Sequence, residues 1–393
     1  MKPTIKICMI GNADSIHVQR WARHFAEKGF EVILLSFYQP VTKFTGNPSV
    51  RFVRARADGG RRAGVRSAAA MGRFPGVLRL VTAARLKRSG FYRELERINP
   101  DVLHAHYVSD YGFLAALSGR HPMVVSAWGS DLLVDPRLSV ITRRLVRWVL
   151  ARADLVTYNS SQLGDAARAM GASPERALQV VLGVGGEMLD ALGSSTVTPS
   201  DREPIIVSQR SLERQLYNVD QVIMAMPEVL KRVPAARLMV GGEGALEGQL
   251  RDLARRLDVG HAVEFTGMAT WPAGLAVRLG TAAVYVSVPS SEGTSVTLLE
   301  AMAAGAYPVV SDLPSNREWV SGEGGSVVPV RQVAPLAEAV ATALLDPTRR
   351  SSAAKHNWKV IEERGSWDVN MGRMEKAYRE LATVGRQAVD EVP

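Results

Sequence analysis

Thiol chemistry has almost nothing to work with in this chain, because Cys8 is its single cysteine among 393 residues. One cysteine excludes an internal disulfide and a multi-cysteine metal site, and its place in an apolar run marks it as a small core residue. No stretch approaches the roughly 20 unbroken apolar residues that cross a bilayer. The opening MKPTIKICMIG leads into a strand pattern rather than a cleavable signal, so a cytoplasmic location is expected. No two aspartates flank a single residue, which excludes a DxD metal bridge, and the seven histidines show no HExxH or carboxylate cluster with ligand spacing. No metal and no resident cofactor are therefore expected. Zinc patterns, RNP signatures and basic heptads are lacking too, so nucleic acid is not an expected partner.

What is present suits a folded globular protein. The chain is 46% hydrophobic and 22% charged with mean hydropathy near zero, and its length fits two domains better than one core. The net charge of +9 is uneven. Residues 1–195 hold 27 Lys and Arg against 15 Asp and Glu, a net +12, and the remainder holds 21 against 24. The densest part, 51–88, has eleven basic residues and one acid, Asp58. An anionic partner is expected on that face, with a solvated arginine-rich surface as the alternative. Within it Val77, Leu80, Val81 and Ala84 recur at helical spacing among arginines, the pattern of an interfacial helix on an anionic membrane, or of a stripe packed into the core.

Periodicity gives the organisation. Residues 5–10 and 31–37 read as strands around a helix over 16–28, a βαβ unit that implies a parallel sheet. Short apolar runs at 102–105, 123–127 and 155–159 extend it. The segment GSSTVTPSDREP reads as a linker. The cycle then restarts, with strands at 205–208, 237–240, 263–265, 283–286 and 309–310 and helices at 220–232, 246–257 and 297–304, a second doubly wound domain. Met371, Met374, Ala377, Tyr378 and Leu381 give the tail an apolar helical stripe.

The segment SSEGTSVTLLEAMAAG, 290–305, carries the most chemistry. Gly293, Thr294 and Ser295 are small residues before a helix whose first N–H groups point outward, a place for a diphosphate. Glu300 can accept hydrogen bonds from ribose hydroxyls and Glu292 from sugar hydroxyls. The alternative makes both glutamates solvent-facing cap residues. In DVLHAHY the side chains of Val102, His104 and His106 share one strand face, and His106 is nearest the carboxyl end, where open α/β sheets bind ligands. Gly11, Asn12, His17, Ser130 and Asp131 fall at equivalent strand ends, although each alone is a common cap or turn residue.

Two glutamates separated by seven residues in EGTSVTLLEAMAAG resemble the donor site of family 4 glycosyltransferases of the GT-B fold. The segments GNADSIHVQRWARHFAEKGFEV, DVLHAHY, VVSAWGSDLL, ADLVTYNSSQ, MVGGEGALEGQL and SDLPSNREWV extend the resemblance over most of the chain. It implies an α/β protein of two Rossmann-like domains facing across a cleft: an acceptor domain over 1–195, a nucleotide-sugar domain over 205–360, and a C-terminal helix over 361–393 returning to the first. It implies retaining hexose transfer from a UDP- or GDP-sugar to a glycan or lipid-linked acceptor in cell-envelope polysaccharide synthesis, and the basic charge of residues 1–195 adds an expected peripheral contact with an anionic membrane. Glu292 then contacts the donor sugar, Gly293, Thr294 and Ser295 its phosphates, and Glu300 the ribose. Gly242 and Glu243 lie in the family's glycine turn, Arg210 resembles its phosphate-binding arginine, and His106 its histidine facing the transferred sugar. Gly11, Asn12, His17, Ser130 and Asp131 line the acceptor side. Many relatives carry a lysine five residues after the arginine. This chain has Gln215 there, which leaves Arg214 as the replacement cation or leaves none. A nucleotide-sugar epimerase of the same fold and a non-catalytic sugar-nucleotide-binding subunit are the alternatives.

Overall fold

The computed structural model describes residues 4–37, 50–54, 90–193 and 198–390, with side chains to 384. Most of the arginine-rich window, including the stripe from Val77 to Ala84, lies outside the described residues.

The chain divides into two compact units, Met1–Val180 with Met371–Pro393, and Val181–Asn370. In the first, β1 (Lys6–Ile10), β2 (Glu31–Ser36), β3 (Val50–Arg54), β4 (Val102–His106), β5 (Met123–Ser126), β6 (Leu155–Tyr158) and β7 (Ala177–Gln179) form one sheet in the order β3-β2-β1-β4-β5-β6-β7. All pairings are parallel. A parallel sheet carries helices on its faces, which is why β4 and β5 are buried at every residue and read as continuous rather than alternating apolar runs. The helix Ile16–Glu27 buries Val18, Trp21, Ala22 and Phe25, spaced for one helical face.

The second unit repeats the plan with β8 (Ile205–Gln209), β9 (Arg237–Gly241), β10 (Val263–Gly267), β11 (Val284–Ser287), β12 (Tyr307–Ser311) and β13 (Ser326–Val328) in the order β10-β9-β8-β11-β12-β13. Each sheet has one place where strand order reverses, between β1 and β4 and between β8 and β11. Open α/β sheets bind ligands outside the carboxyl ends of such strands.

The units divide at 180/181, ahead of the segment 193–204 that reads as a linker. Val181, Val184 and Met188 are buried in one cluster with Leu275, Leu279 and Leu299, so the helix Gly186–Gly193 is bound into the second unit by its own apolar face. The tail is a long helix, Trp367–Asp390, with Met371, Met374 and Tyr378 fully buried. Its residues from Met371 onward count with the first unit.

Candidate functional site

In the second unit the carboxyl ends of β8 and β11 bring together three side chains. Arg210 follows β8, Ser287 ends β11, and Glu292 stands in the loop beyond it. The guanidinium of Arg210 donates from Nε to Ser287 Oγ at 2.9 Å and from Nη2 to the same oxygen. Its Nη1 lies 2.8 Å from Glu292 Oε2, with the two side chains only 10% and 19% exposed. Glu292 Oε2 makes no well-directed hydrogen bond, so this contact is a close ion pair in which the N–H does not aim at the oxygen. Burial by itself pulls the Arg210 guanidinium down, but the Glu292 carboxylate, with Tyr285 and Tyr217 close by, more than reverses this and holds it above its ordinary value. The loop oxygen of Glu292 accepts from Ser315 Oγ at 2.9 Å, and Asn218 donates to Val288 O and to Ser290 Oγ, each at 2.8 Å. The loop carrying Glu292 is thus fixed from both sides.

The helix Val296–Ala303 begins with Ser295 as its cap, accepting from Leu298 N–H at 3.3 Å. Gly293, Thr294 and Ser295 are buried, and Thr294 Oγ1 accepts from the indole of Trp319 at 3.1 Å. Glu300 sits on the second turn, 2% exposed, and its Oε1 accepts from Trp271 Nε1 at 2.9 Å. Gly242 and Gly244 adopt φ of +122° and +154°. A Cβ at Gly242 would stand 1.9 Å from the Arg210 carbonyl oxygen, and one at Gly244 2.3 Å from the Leu212 carbonyl carbon. These glycines let the turn after β9 press on the loop that carries Arg210, a local task beyond any approach to a nucleotide. Glu243 is exposed, its carbonyl accepting from Leu212 N–H at 2.9 Å. Arg214 is exposed on the same loop and takes no part in the ion pair.

In the first unit the corresponding reversal sets Gly11 after β1 beside His106 at the end of β4, where a Cβ on Gly11 would lie 3.5 Å from His106 Cβ. His106 is 2% exposed, and among the described residues neither ring nitrogen has a hydrogen-bond partner. Burial pushes its pKa down to about 3, so it is a neutral ring with one donor and one acceptor. His104, one strand repeat earlier, is different. Its Nδ1 meets Tyr378 OH at 2.5 Å and its Nε2 meets Ser126 Oγ at 2.7 Å, which makes it a fully engaged core histidine. The two rings are 4.2 Å apart, and Trp21 sets its edge against both at 5.3 Å. His17 stacks on Trp128 at 5.6 Å, has Nδ1 without a partner among the described residues, and is lowered to about 4 by burial and by Arg20.

Three of the expected acceptor-side residues act through the backbone or a neighbour. Asn12 is exposed, its Oδ1 accepting from Asp14 N–H at 3.0 Å. Ser130 Oγ pairs with Tyr107 OH at 2.8 Å. Asp131 is 0% exposed, and its oxygens accept from the N–H groups of Val108, Gly129 and Trp128 at 2.9, 2.9 and 3.0 Å. Burial raises its carboxyl to about 6 in spite of those donors. Asp131 therefore organises the turns around it and has no open face. Tyr107, a non-glycine residue at φ +94°, stands between His106 and a π-helical turn over Val108–Gly112, local geometries that cluster at functional sites.

Sequence reasoning missed Ser287, Trp271, Tyr107 and Trp128. Nothing in the local pattern separates Ser287 from any strand-end serine. The WGSD turn did flag the neighbourhood of Trp128. Among the described residues no group of three or more His, Cys, Asp or Glu could hold a metal ion, and no helix is long and apolar enough to cross a membrane.

A family model described as Glycosyl transferase 4-like matches residues 6–160, and one described as Glycosyl transferases group 1 matches 195–359. The GDP-mannose-dependent monoacylated alpha-(1-6)-phosphatidylinositol monomannoside mannosyltransferase of Corynebacterium glutamicum is 29% identical over 178 residues, which is 43% of this chain and 45% of that protein. The chain thus matches less than half the length of this relative. Among solved structures, the sucrose-phosphate synthase of Thermosynechococcus elongatus aligns with a TM-score of 0.79 at 18% identity, covering 97% of this chain and all of that one. Anabaena Alr3699/HepE in complex with UDP-glucose aligns at 0.73 and 14% identity, covering 96% and 100%. At these identities the structures speak for the fold.

Proposed function

Since the chain belongs to the family 4 glycosyltransferases of the GT-B fold, we propose that it transfers a hexose from a UDP- or GDP-sugar, with retention of anomeric configuration, to a glycan or lipid-linked acceptor of the cell envelope. The observation that carries this reading is the buried Arg210–Glu292 pair at the reversal between β8 and β11, in front of the helix Val296–Ala303. A carboxylate for sugar hydroxyls and a second buried carboxylate, Glu300, for a ribose stand within one short run of chain, and the ion pair brings to it a cation for a diphosphate from the end of β8. The C. glutamicum relative, by its name, uses GDP-mannose on a phosphatidylinositol-based acceptor, and the Anabaena structure holds UDP-glucose. Both donor nucleotides therefore remain in the proposal.

The chemistry follows from these groups. As the bond from the anomeric carbon to the diphosphate breaks, negative charge grows on the leaving oxygen, and Arg210 with the helix N-terminus stabilises it without a divalent ion. The acceptor oxygen bonds to the same face of that carbon and passes its proton to the departing phosphate oxygen. No side-chain base is needed. His106, neutral and with neither ring nitrogen partnered among the described residues, can donate to and accept from hydroxyls of the transferred sugar. In the cell such an enzyme works on the cytoplasmic side, touching the membrane peripherally when its acceptor is lipid-linked.

Incubation with a panel of UDP- and GDP-sugars, scored for donor hydrolysis and thermal shift, tests the reading, since a ligand that binds only the native state raises the melting temperature. Shift and hydrolysis with one nucleotide class support it. Shift without hydrolysis would favour a binding subunit, and interconversion of the sugar without acceptor an epimerase.

A further inference from the structure

The helix Val140–Leu150 and the turn before it present a surface that the transfer chemistry leaves without a role. Leu138, Val140 and Ile141 are 77%, 66% and 41% exposed. They are held on fixed backbone, because Ser139 caps the helix by accepting from Ile141 and Thr142 N–H at 3.2 and 3.4 Å. The opposite side of the helix, Thr142, Val146, Val149 and Leu150, is already buried in the unit. Neighbouring apolar side chains left in water on a rigid element mark a contact surface.

Arginine surrounds this tip. Arg137, Arg143, Arg144, Arg147 and Arg152 are all exposed, and no acidic residue stands between Asp135 and Asp154. Among the described residues none of Arg137, Arg143, Arg144 and Arg147 has a carboxylate partner. Some exposed arginines elsewhere find one, as Arg251 does with Glu247 at 2.7 Å and Arg379 with Glu375 at 2.8 Å, and Arg256, Arg331 and Arg373 stand singly without one among the described residues; here four such arginines crowd residues 137–147. Such a density of like charge with no acid between calls for an anionic partner, and the apolar tip calls for one with an oily layer beneath its charge.

We propose that this face docks on an anionic lipid bilayer, with Leu138, Val140 and Ile141 entering the acyl boundary and the arginines at phosphate level. A second copy of the chain fits less well, since the same face on both partners would set five arginines against five. The face continues directly from Ser130 and Asp131 through Asp135, whose Oδ2 accepts from Tyr107 and Ser109 at 3.1 and 2.9 Å. The proposed acceptor side and the docking face thus belong to one run of chain. The purpose of docking rests on the proposed lipid-linked acceptor; the physical argument for it does not.

Cosedimentation of the full chain with vesicles of phosphatidylglycerol and phosphatidylcholine, and of phosphatidylcholine alone, tests the proposal. Binding to the anionic vesicles at low salt and release at high salt are expected. The double variants Leu138→Glu with Val140→Glu, and Arg143→Glu with Arg144→Glu, are each expected to lower the bound partition about tenfold or more while donor-sugar hydrolysis and melting temperature stay as in the wild type. Wild type remaining in solution at low salt overturns the proposal. So does equal vesicle binding by both variants, which would move the contact to another surface such as the 51–88 window. A dimer in sedimentation velocity that the Leu138→Glu, Val140→Glu variant abolishes, with no vesicle binding, would assign the face to a second copy. A wild type that binds vesicles yet hydrolyses no donor sugar would end the transferase reading and leave this inference standing.

Discussion

The indole N–H of Trp271 donates to the buried Glu300 carboxylate at 2.9 Å, from the loop after β10 to the helix after β11. A carboxylate 2% exposed needs such donors to stay oriented, and this one fixes Oε1 before any ligand arrives. Glu300→Gln is expected to weaken UDP or GDP binding by about 1–3 kcal/mol with the fold intact. Trp271→Phe, which keeps an aromatic side chain but loses the indole N–H, should weaken it in the same direction. Calorimetric titration with free nucleotides decides, and unchanged affinity in Glu300→Gln removes that residue from the site.

Arg210 holds Ser287 and Glu292 together, so its loss has two separable effects. Arg210→Ala should reduce turnover more than sugar-nucleotide affinity, because the charge it meets is greatest in the transition state. Ser287→Ala should produce a milder form of the same pattern by freeing the guanidinium. Equal losses in kcat and affinity would mark Arg210 as a ground-state binder.

His106, His17 and His104 are all lowered below their ordinary range, first by burial, to about 3, about 4 and well below it respectively. The folded form then holds these rings neutral while the unfolded chain protonates near pH 6.5, so the unfolded state binds more protons as pH falls. Stability is full above about 6.5 and declines from there toward 4 and 3. At pH 5 His106 and His17 each contribute about 2 kcal/mol of destabilisation relative to pH 7, and His104 acts in the same direction. Asp131, raised to about 6, acts in the opposite sense between its unfolded value and 6, offsetting part of one histidine. The melting temperature should drop from pH 7 to 5, and His106→Gln should flatten that drop. A pH-independent melting curve would show that the rings are not held neutral.

Tyr378 accepts from Trp21 Nε1 at 3.0 Å and meets His104 Nδ1, fastening the C-terminal helix to β4 and to the first helix of the chain. Tyr378→Phe is expected to reduce unfolding free energy by about 1–3 kcal/mol, since two buried polar groups lose their partner. Urea titration measures it, and a variant as stable as wild type would mean that the ring contacts alone hold the helix.

Donor turnover is expected to persist in EDTA, with positive side chains and a helix terminus facing the diphosphate in place of a metal. Complete dependence on added magnesium or manganese would reopen the search for carboxylate ligands.

Much of this was readable from neighbours in the chain. The period of the apolar residues placed β1, β2, β4 and the helix Ile16–Glu27 nearly to the residue. The three-residue strands β7 and β13 escaped, because three residues cannot display a period. The spacing of Glu292 and Glu300 and the small residues between them singled out the loop and helix that the structure joins to Arg210 through Glu292. The same kind of reading did not find Trp271, 29 residues before its partner, or Ser287, 77 after Arg210, since neither pair belongs to a local pattern.

Local order determined the two parallel α/β sheets and the glycines at the turn after β9, because propensity, alternation and residue type act over a few positions. Tertiary structure alone decided which histidine is spent on the core and which is left open. His104 and His106 share one face of one strand, and only the arrival of Tyr378, 274 positions away, together with Ser126 from the next strand, pairs the first, while among the described residues the second has no hydrogen-bond partner. Packing also set the division of the units at 180/181 and buried Asp131 under three backbone donors. Such outcomes depend on what folds against a residue, which its sequence neighbours do not specify.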